Sequence, residues 1–294
     1  MAFNKKTFQT RTISAAVFAA IMLVGLLWNQ WSFFILFSII HFGCWIEYQK
    51  LIGQTDEDYI EITPFHKYGV MLAGWCIMLY FTNNAFIILG LRLEELGWWT
   101  GLIFIFVLPV NEILFAKHIR LKNIGYSALG LLYISLSWGL MMDLQKEIDV
   151  NIHDTFYIVA GYYFPLLVII SIWVNDTMAY IIGSLIGKTP MTKISPKKTW
   201  EGTIGGIILS IAVAGLVSYY GLKLGWLTMH IMIIAGISSI AGTFGDLLES
   251  KLKRMANVKD SGTLMPGHGG FLDRFDSMLI AIPFVWLYVF IFLR

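Results

Sequence analysis

Charge is scarce in this chain. Charged residues fill 14% of its 294 positions, against roughly 25% in an ordinary soluble domain, too few to cover a soluble surface. Cysteine is scarcer still. Cys44 and Cys76 both lie inside apolar runs and form no C-x-x-C pair, which argues against a disulfide framework or a zinc site. A net charge of +2 gives no reason to expect nucleic acid as a partner. No internal repeat, low-complexity tract or linker long enough to hold a further soluble domain interrupts the sequence.

Apolar residues take up 57% of the chain. They fall in repeated runs of about 18 or more, each long enough to cross a hydrocarbon core of about 30 Å as a helix. Breaks at charged and turn-forming residues place spans near 12–28, 31–49, 68–91, 98–116, 124–142, 154–174, 203–221, 228–248 and 276–293. The fold class expected is therefore all-α: a polytopic transmembrane helical bundle of about nine spans with cytoplasmic catalytic loops. The stretch 176–187 is apolar but too short to span alone, and reads as a helix extension or a re-entrant piece.

The first thirty residues superficially resemble a signal peptide, but no small-residue cleavage site follows. Trp28-Asn29-Gln30-Trp31 leads directly into a second apolar run, as in a hairpin with an aromatic interface belt. With the N-terminus inside, Arg92, Lys146, Lys223 and Arg294 are the only basic residues on the outer side, leaving 17 of the 21 on the inner one. That excess identifies the inner side as cytoplasmic. It also places both long mixed-charge segments, 187–201 and 249–276, in the cytoplasm, while the acidic loop 143–154 falls outside. The chain divides into N-terminal membrane helices, 1–154, and a C-terminal membrane region, 155–294, that carries both mixed-charge segments; with the resemblance described below, the first is expected to serve scaffold, lipid and dimer packing and the second to be catalytic.

Four segments carry candidate chemistry. The first holds Asn175 and Asp176; an aspartate near the end of a span is costly and marks a function or a pairing, although an N-cap would also account for it. Asp176, Tyr180 and Ser184 share a helical face. The following Gly183-Ser184-Leu185-Ile186-Gly187-Lys188-Thr189 has three residues between glycine and Gly-Lys-Thr where a P-loop needs four, and no buried strand precedes it. The second segment, Ser195-Pro196-Lys197-Lys198-Thr199-Trp200-Glu201-Gly202, sets paired lysines among hydroxyls. It suits polyphosphate oxygens and equally a headgroup anchor, except that an anchor has no need of Glu201.

The third segment places Asp246, Glu249 and Ser250 on one face at spacings of three and four. Magnesium accepts so sparse a carboxylate set, taking water and substrate phosphate for the rest; a solvated helix end with Glu249 paired to Lys253 is the plainer account. The fourth runs from 250 to 276. Between 246 and 276 five basic residues (251, 253, 254, 259 and 274) balance five acidic ones (246, 249, 260, 273 and 276). This balance suits metal carboxylates beside phosphate-binding bases better than an anionic-lipid patch. Pro266 and glycines 262, 267, 269 and 270 let the backbone approach a ligand closely. His268 could bond a phosphate or transfer a proton. Asp273 and Asp276 form a second carboxylate face at the start of the last span.

The run from Ser250 to Asp276, S-K-L-K-R-x4-K-D-S-G-x3-P-G-H-G-G-F-L-D-R-F-D, resembles the signature of the phosphatidate cytidylyltransferases, the CDP-diacylglycerol synthases. The motifs N-D-T-x-A-Y, S-P-K-K-T-x-E-G and G-D-L-x-E-S also look like that family's, so specific resemblance covers 171–277. It implies transfer of CMP from CTP to phosphatidic acid, giving CDP-diacylglycerol and pyrophosphate, with Mg2+ required and K+ implicated as a second ion. By motif position it implies that Asp246 and Asp273 hold metal, and that these two with Lys259, Arg274 and Asp276 form the catalytic set. Substrate binding is then expected of Asn175, Asp176, Ser195, Lys197, Lys198, Thr199, Glu201, Glu249, Ser250, Lys253, Arg254, Asp260, His268, Gly269 and Gly270. The expected partners are CTP, phosphatidic acid, membrane lipids and, from the resemblance alone, a second copy in a homodimer. The expected location is the bacterial inner membrane.

Two alternatives stand beside this reading. A CTP-dependent polyprenol or phytol kinase would share the nucleotide and the scaffold but move the terminal phosphate to an alcohol. An ion or lipid transporter could line a path with Asp176, Asp246 and Asp273, but has no need of a 27-residue segment dense in both signs. A CDP-alcohol phosphotransferase would carry D-G-x2-A-R, which is absent.

Overall fold

A computed structural model describes residues 5–116, 119–152, 155–159, 161–263 and 269–294, the side chains of 5–13 and 148–158 excepted. Helices dominate. In chain order they are α1 (Lys5–Leu27), α2 (Gln30–Thr55), α3 (Pro64–Tyr80), α4 (Leu93–Phe115), α5 (Leu121–Gly130), α6 (Ser137–Leu144), α7 (Tyr163–Ile186), α8 (Trp200–Leu216), α9 (Leu227–Met255) and α10 (Leu272–Phe292). A π-helical segment, Leu131–Leu136, joins α5 to α6. A second π-helical segment, Val217–Gly221, extends α8, a 3-10 turn covers Glu57–Tyr59, and there are two small antiparallel hairpins: β1 (Ile87–Ile88) with β2 (Leu91–Arg92), and β3 (Ile148–Ile152) with β4 (Thr155–Val159).

Among the described residues, seven helices are long and apolar enough to cross a membrane: α2, α4, Leu121–Leu144, α7, Trp200–Gly221, α9 and α10. The protein is an integral membrane protein of the all-α class. The other two expected spans match shorter elements, α1 with its apolar part Ser14–Leu27 and α3 with 17 residues.

At two places an expected span gives way to a hairpin, each for a local reason. The run 68–91 leaves the helix after Tyr80, and the chain then turns through β1 and β2, whose tip holds Leu89 and Gly90 at φ 52° and 82°. Two successive residues at positive φ are what a tight hairpin between right-twisted strands demands. The run expected over 154–174 begins in β4, and its helix starts only at Tyr163. That helix continues unbroken to Ile186. The stretch 176–187 is thus the C-terminal half of α7, a helix extension and not a re-entrant piece, and Asp176 stands inside a helix and not at its cap.

The chain forms two compact units, Met1–Met142 with Leu252–Phe275 and Asp143–Lys251 with Asp276–Arg294. In the first, Asn29 starts α2 through a capping box with Ser32, and Thr63 caps α3 with Pro64 in its first turn. These residues satisfy amide groups that a helix start leaves without partners. Phe33, Phe37, Trp45, Tyr48 and Trp138 fill the core. Trp45 donates its indole N–H to Ser135 Oγ at 2.8 Å, and Gly130 leaves space for the Trp45 ring. Lys122 pairs with Asp56 at 2.5 Å and holds its carboxyl below the ordinary carboxylate range, and Arg120 pairs with Asp58. Two of the inner-side basic residues therefore tie loops together.

In the second unit, α7 and α8 approach closely through small residues. A Cβ on Gly202 would collide with Ala179 O and Gly183 Cα, and one on Gly206 with Asn175 O and Ala179. Ser210 Oγ donates to Ser171 O at 3.0 Å along the same seam. Small residues four apart on both helices permit this contact. The pair Gly202 and Gly206 thus packs within the chain.

Candidate functional site

In the second unit, the loop between α7 and α8 presents the paired lysines. Thr199 caps α8 by accepting from Gly202 N. Glu201, in the first turn, reaches back to accept from Lys188 N and Thr189 N at 3.2 Å and from Thr189 Oγ1 at 2.8 Å. A bridge between Pro190 and Thr199 and the bond from Met191 N to Lys198 O close the hairpin. Glu201 thus has a structural partner set, which explains a carboxylate that lipid anchoring alone does not require. Lys197 is exposed. Lys198 turns back to form an ion pair with Asp246 on α9.

Asp246 accepts from Ser250 Oγ at 3.2 Å through its other oxygen, and its side chain is 31% exposed. Asp176, on α7, lies within electrostatic reach of both Lys198 and Asp246. Asn175 beside it is buried, its side chain pointing an N–H toward Asp176 Oδ1 at 3.4 Å. Two carboxylates from separate helices, a lysine near both and a neighbouring lysine in solvent form a charged patch. Glu249, one turn beyond Asp246, is fully buried.

In the first unit, the end of α9 and the start of α10 bring the signature together around Asp273. Oδ1 takes Lys253 Nζ at 2.6 Å. Oδ2 takes Ser261 N at 2.8 Å and Gly270 N at 2.8 Å, with Ser261 Oγ at 2.9 Å. Gly269, at φ 85°, turns the chain into α10 against the Asp273 side chain. Lys259, Asp260, Arg254 and Arg274 are exposed around this turn, with Arg254 bonded to Val258 O at 3.3 Å.

The description of the cytidylyltransferase family matches residues 9–292. The chain belongs to that family. Its relatives include the phosphatidate cytidylyltransferase of Bacillus subtilis (strain 168), 30% identical over 223 residues that cover 76% of this chain and 77% of that one. The Staphylococcus saprophyticus protein of the same name is 34% identical over 179 residues, 60% of this chain and 64% of its own. The Haemophilus influenzae one is 38% identical over 145 residues, 48% and 49%.

Within this cytidylyltransferase, the residues expected at the site gather into two groups. Asn175, Asp176, Lys198, Asp246 and Ser250 meet in the second unit. Lys253, Gly269, Gly270 and Asp273 meet in the first, joined there by Ser261, which was not among the expected residues. Asp276, buried, bonds the amide of Ser277 at 2.6 Å, and Ser195 takes its place in the hairpin through Thr192 Oγ1 at 3.2 Å. His268 lies outside the described residues.

Sequence reasoning missed Glu47. This α2 carboxylate is 8% exposed and accepts from Ser261 Oγ at 2.6 Å, Leu272 N at 2.8 Å and Phe271 N at 2.9 Å. The signal that could have found it was its isolation, a carboxylate within an apolar span.

The donor set can be tested against a metal. Among the described residues, no three His, Cys, Asp or Glu side chains gather at metal-ligand spacing. A zinc-type cage is thus not formed by them, whereas magnesium takes one or two carboxylates and completes its shell with water and phosphate oxygens. Asp246, partly exposed and already beside a cation, Lys198, fits that mode. Asp273 likewise faces a cation, Lys253, through Oδ1, while Oδ2 is engaged with backbone donors.

Proposed function

We propose that the protein is a phosphatidate cytidylyltransferase, transferring CMP from CTP to phosphatidic acid and releasing pyrophosphate. The observation that carries this reading is the pairing of signature carboxylates with lysines, Asp246 with Lys198 and Asp273 with Lys253. Acids able to hold a hard cation stand beside bases able to hold phosphate. The names of the relatives above and the family match support the same reaction.

Charge is the main obstacle in this reaction. The phosphate monoester of phosphatidate has a second pKa of about 6, so much of it is already an anion near neutral pH and a strong general base is not required. One of its oxygens attacks the α-phosphorus of CTP. A new P–O bond forms there, the bond from that phosphorus to the bridging oxygen of the β-phosphate breaks, and the electron pair leaves with pyrophosphate. Two anions must meet, and cationic groups relieve the repulsion. Lys197, Lys198, Lys253, Arg254, Lys259 and Arg274 supply such groups. Asp246 and Asp273 would hold magnesium, with potassium as a second ion; bound there, magnesium would polarise phosphoryl oxygens and align substrate. Lys198 and Lys253, paired with those two carboxylates, are the bases placed nearest to meet phosphate oxygens.

The setting follows from the substrates. A diacyl substrate and product stay in lipid while CTP arrives from water, so the site belongs at the membrane boundary. The 17 inner-side basic residues favour a cytoplasmic N-terminus and cytoplasmic active-site loops, and the bacterial relatives favour the inner membrane. Purified protein with CTP and magnesium is expected to release pyrophosphate only when phosphatidate is added. Release at the same rate without phosphatidate would overturn the assignment.

A further inference from the structure

Glu47 sits 214 residues before Ser261 in sequence, in the N-terminal segment whose expected role is scaffold. Among the described residues, the hydrogen bonds to its carboxylate come from the signature. Oε2 accepts from Ser261 Oγ at 2.6 Å and Leu272 N at 2.8 Å, and Oε1 accepts from Phe271 N at 2.9 Å. A Cβ on Gly262 or Gly270 would collide with this carboxylate, which gives those two glycines a reason: they let the loop close around it.

The chemistry of the contact is specific. Phe271 and Leu272 stand at the first turn of α10, where amide groups have no partner within the helix and the helix dipole is positive. A carboxylate from α2 supplies both the acceptors and the negative charge. Ser261, held by Glu47, continues to Asp273 through its amide at 2.8 Å, and Gly270 N reaches the same Asp273 oxygen at 2.8 Å. The hydroxyl of Ser261 has one hydrogen, and the shorter contact places it on Glu47. Glu47 and Asp273 therefore share one bracket of loop backbone, with Asp273 Oδ1 left to face Lys253.

We infer that Glu47 is a positioning residue for cytidylyl transfer: it fixes the loop that orients the Asp273 carboxylate. The inference rests on the reaction proposed above. Glutamine at 47 would keep the volume but turn an acceptor into a donor against donors, so the loop must shift and Asp273 with it. Supporting groups of this kind typically cost about 10- to 100-fold in metal affinity or activity when removed.

The test uses purified full-length protein in lipid nanodiscs, with CTP, phosphatidate and a magnesium titration, at a temperature where each variant is folded. Glu47→Gln is expected to lower kcat by about 10- to 100-fold, to raise the magnesium concentration for half-maximal rate, and to leave KM for CTP within about threefold. Glu112→Gln is the comparison, because Glu112 is also a buried carboxylate, bonded to His66 at 2.8 Å, but among the described residues it has no hydrogen bond to the signature. It is expected to lose thermal stability and keep kcat within about twofold.

An active wild type whose Glu47→Gln variant keeps kcat and magnesium dependence within about twofold overturns this inference alone. Equal kcat losses in the two variants also overturn it, since any buried carboxylate would then serve. A wild type that transfers nothing from CTP overturns the assigned reaction, and this inference with it. Where Glu47→Gln does not fold, Ser261→Ala is read by the same criteria, since it removes the bridge and spares both carboxylates.

Discussion

Asp246→Asn is expected to lower kcat/KM for CTP by about 10²- to 10³-fold, the size of effect seen when one electrostatic stabiliser is lost from a catalytic site. The substitution keeps the volume and one acceptor for Ser250, whose hydroxyl lies 3.2 Å from Asp246 Oδ1. It removes the charge that pairs with Lys198 and that a hard cation would need. The side chain is 31% exposed, and ion pairs this close to water contribute little to stability once screening is counted. The thermal midpoint should therefore move by only about 2 °C. Steady-state turnover beside a thermal melt separates the two effects. Turnover above about a tenth of wild type would remove Asp246 from the centre of the account.

Gly206→Leu has the second large expected effect, and it acts on packing. A Cβ at 206 meets the backbone oxygen of Asn175 and the Ala179 side chain on α7. Backbone cannot yield as a flexible side chain can, so α7 and α8 must separate. Overpacking of this kind costs about 2–3 kcal/mol, which corresponds to a fall of about 5–10 °C in the midpoint. Activity should fall as well, because the displaced face of α7 carries Asn175 and, next to it, Asp176. Gly125 provides the contrast: nothing lies within 4 Å of a Cβ there, so Gly125→Ala should leave the midpoint unchanged or slightly higher. Melting curves of the two variants in one detergent decide the point. An unchanged midpoint in Gly206→Leu would mean that the small-residue seam is not a tight contact.

Hydropathy made the helices legible because a span must satisfy its own backbone, so long apolar runs leave few other solutions. The same averaging hid what departs from it. The turn after Tyr80 and the strand β4 are themselves apolar, and their polar punctuation is sparse: Asn83, Asn84 and Gly90 in one place, Gly161 in the other. Asp176 was seen as costly, but its position within an unbroken helix depends on α7 running on to Ile186.

At the site, local motifs revealed which residue types matter, since the spacing of Asp246 and Ser250 can be read along one helix. Tertiary partners could not be read in that way. Lys198 with Asp246 joins a hairpin to a distant helix, and Lys253 with Asp273 spans a loop. Glu47 is the clearest case: one carboxylate barely lowers the hydropathy of its run, yet it holds Ser261 from 214 residues away.

Position-labelled CTP tests the central claim most directly. Purified protein is incubated with magnesium, phosphatidate and CTP carrying radiolabel at either the α- or the γ-phosphorus, and the lipid phase is extracted. Cytidylyl transfer predicts α-label in the lipid and γ-label in soluble pyrophosphate. Label from the γ position in the lipid, with none from the α position, would contradict it and identify a kinase.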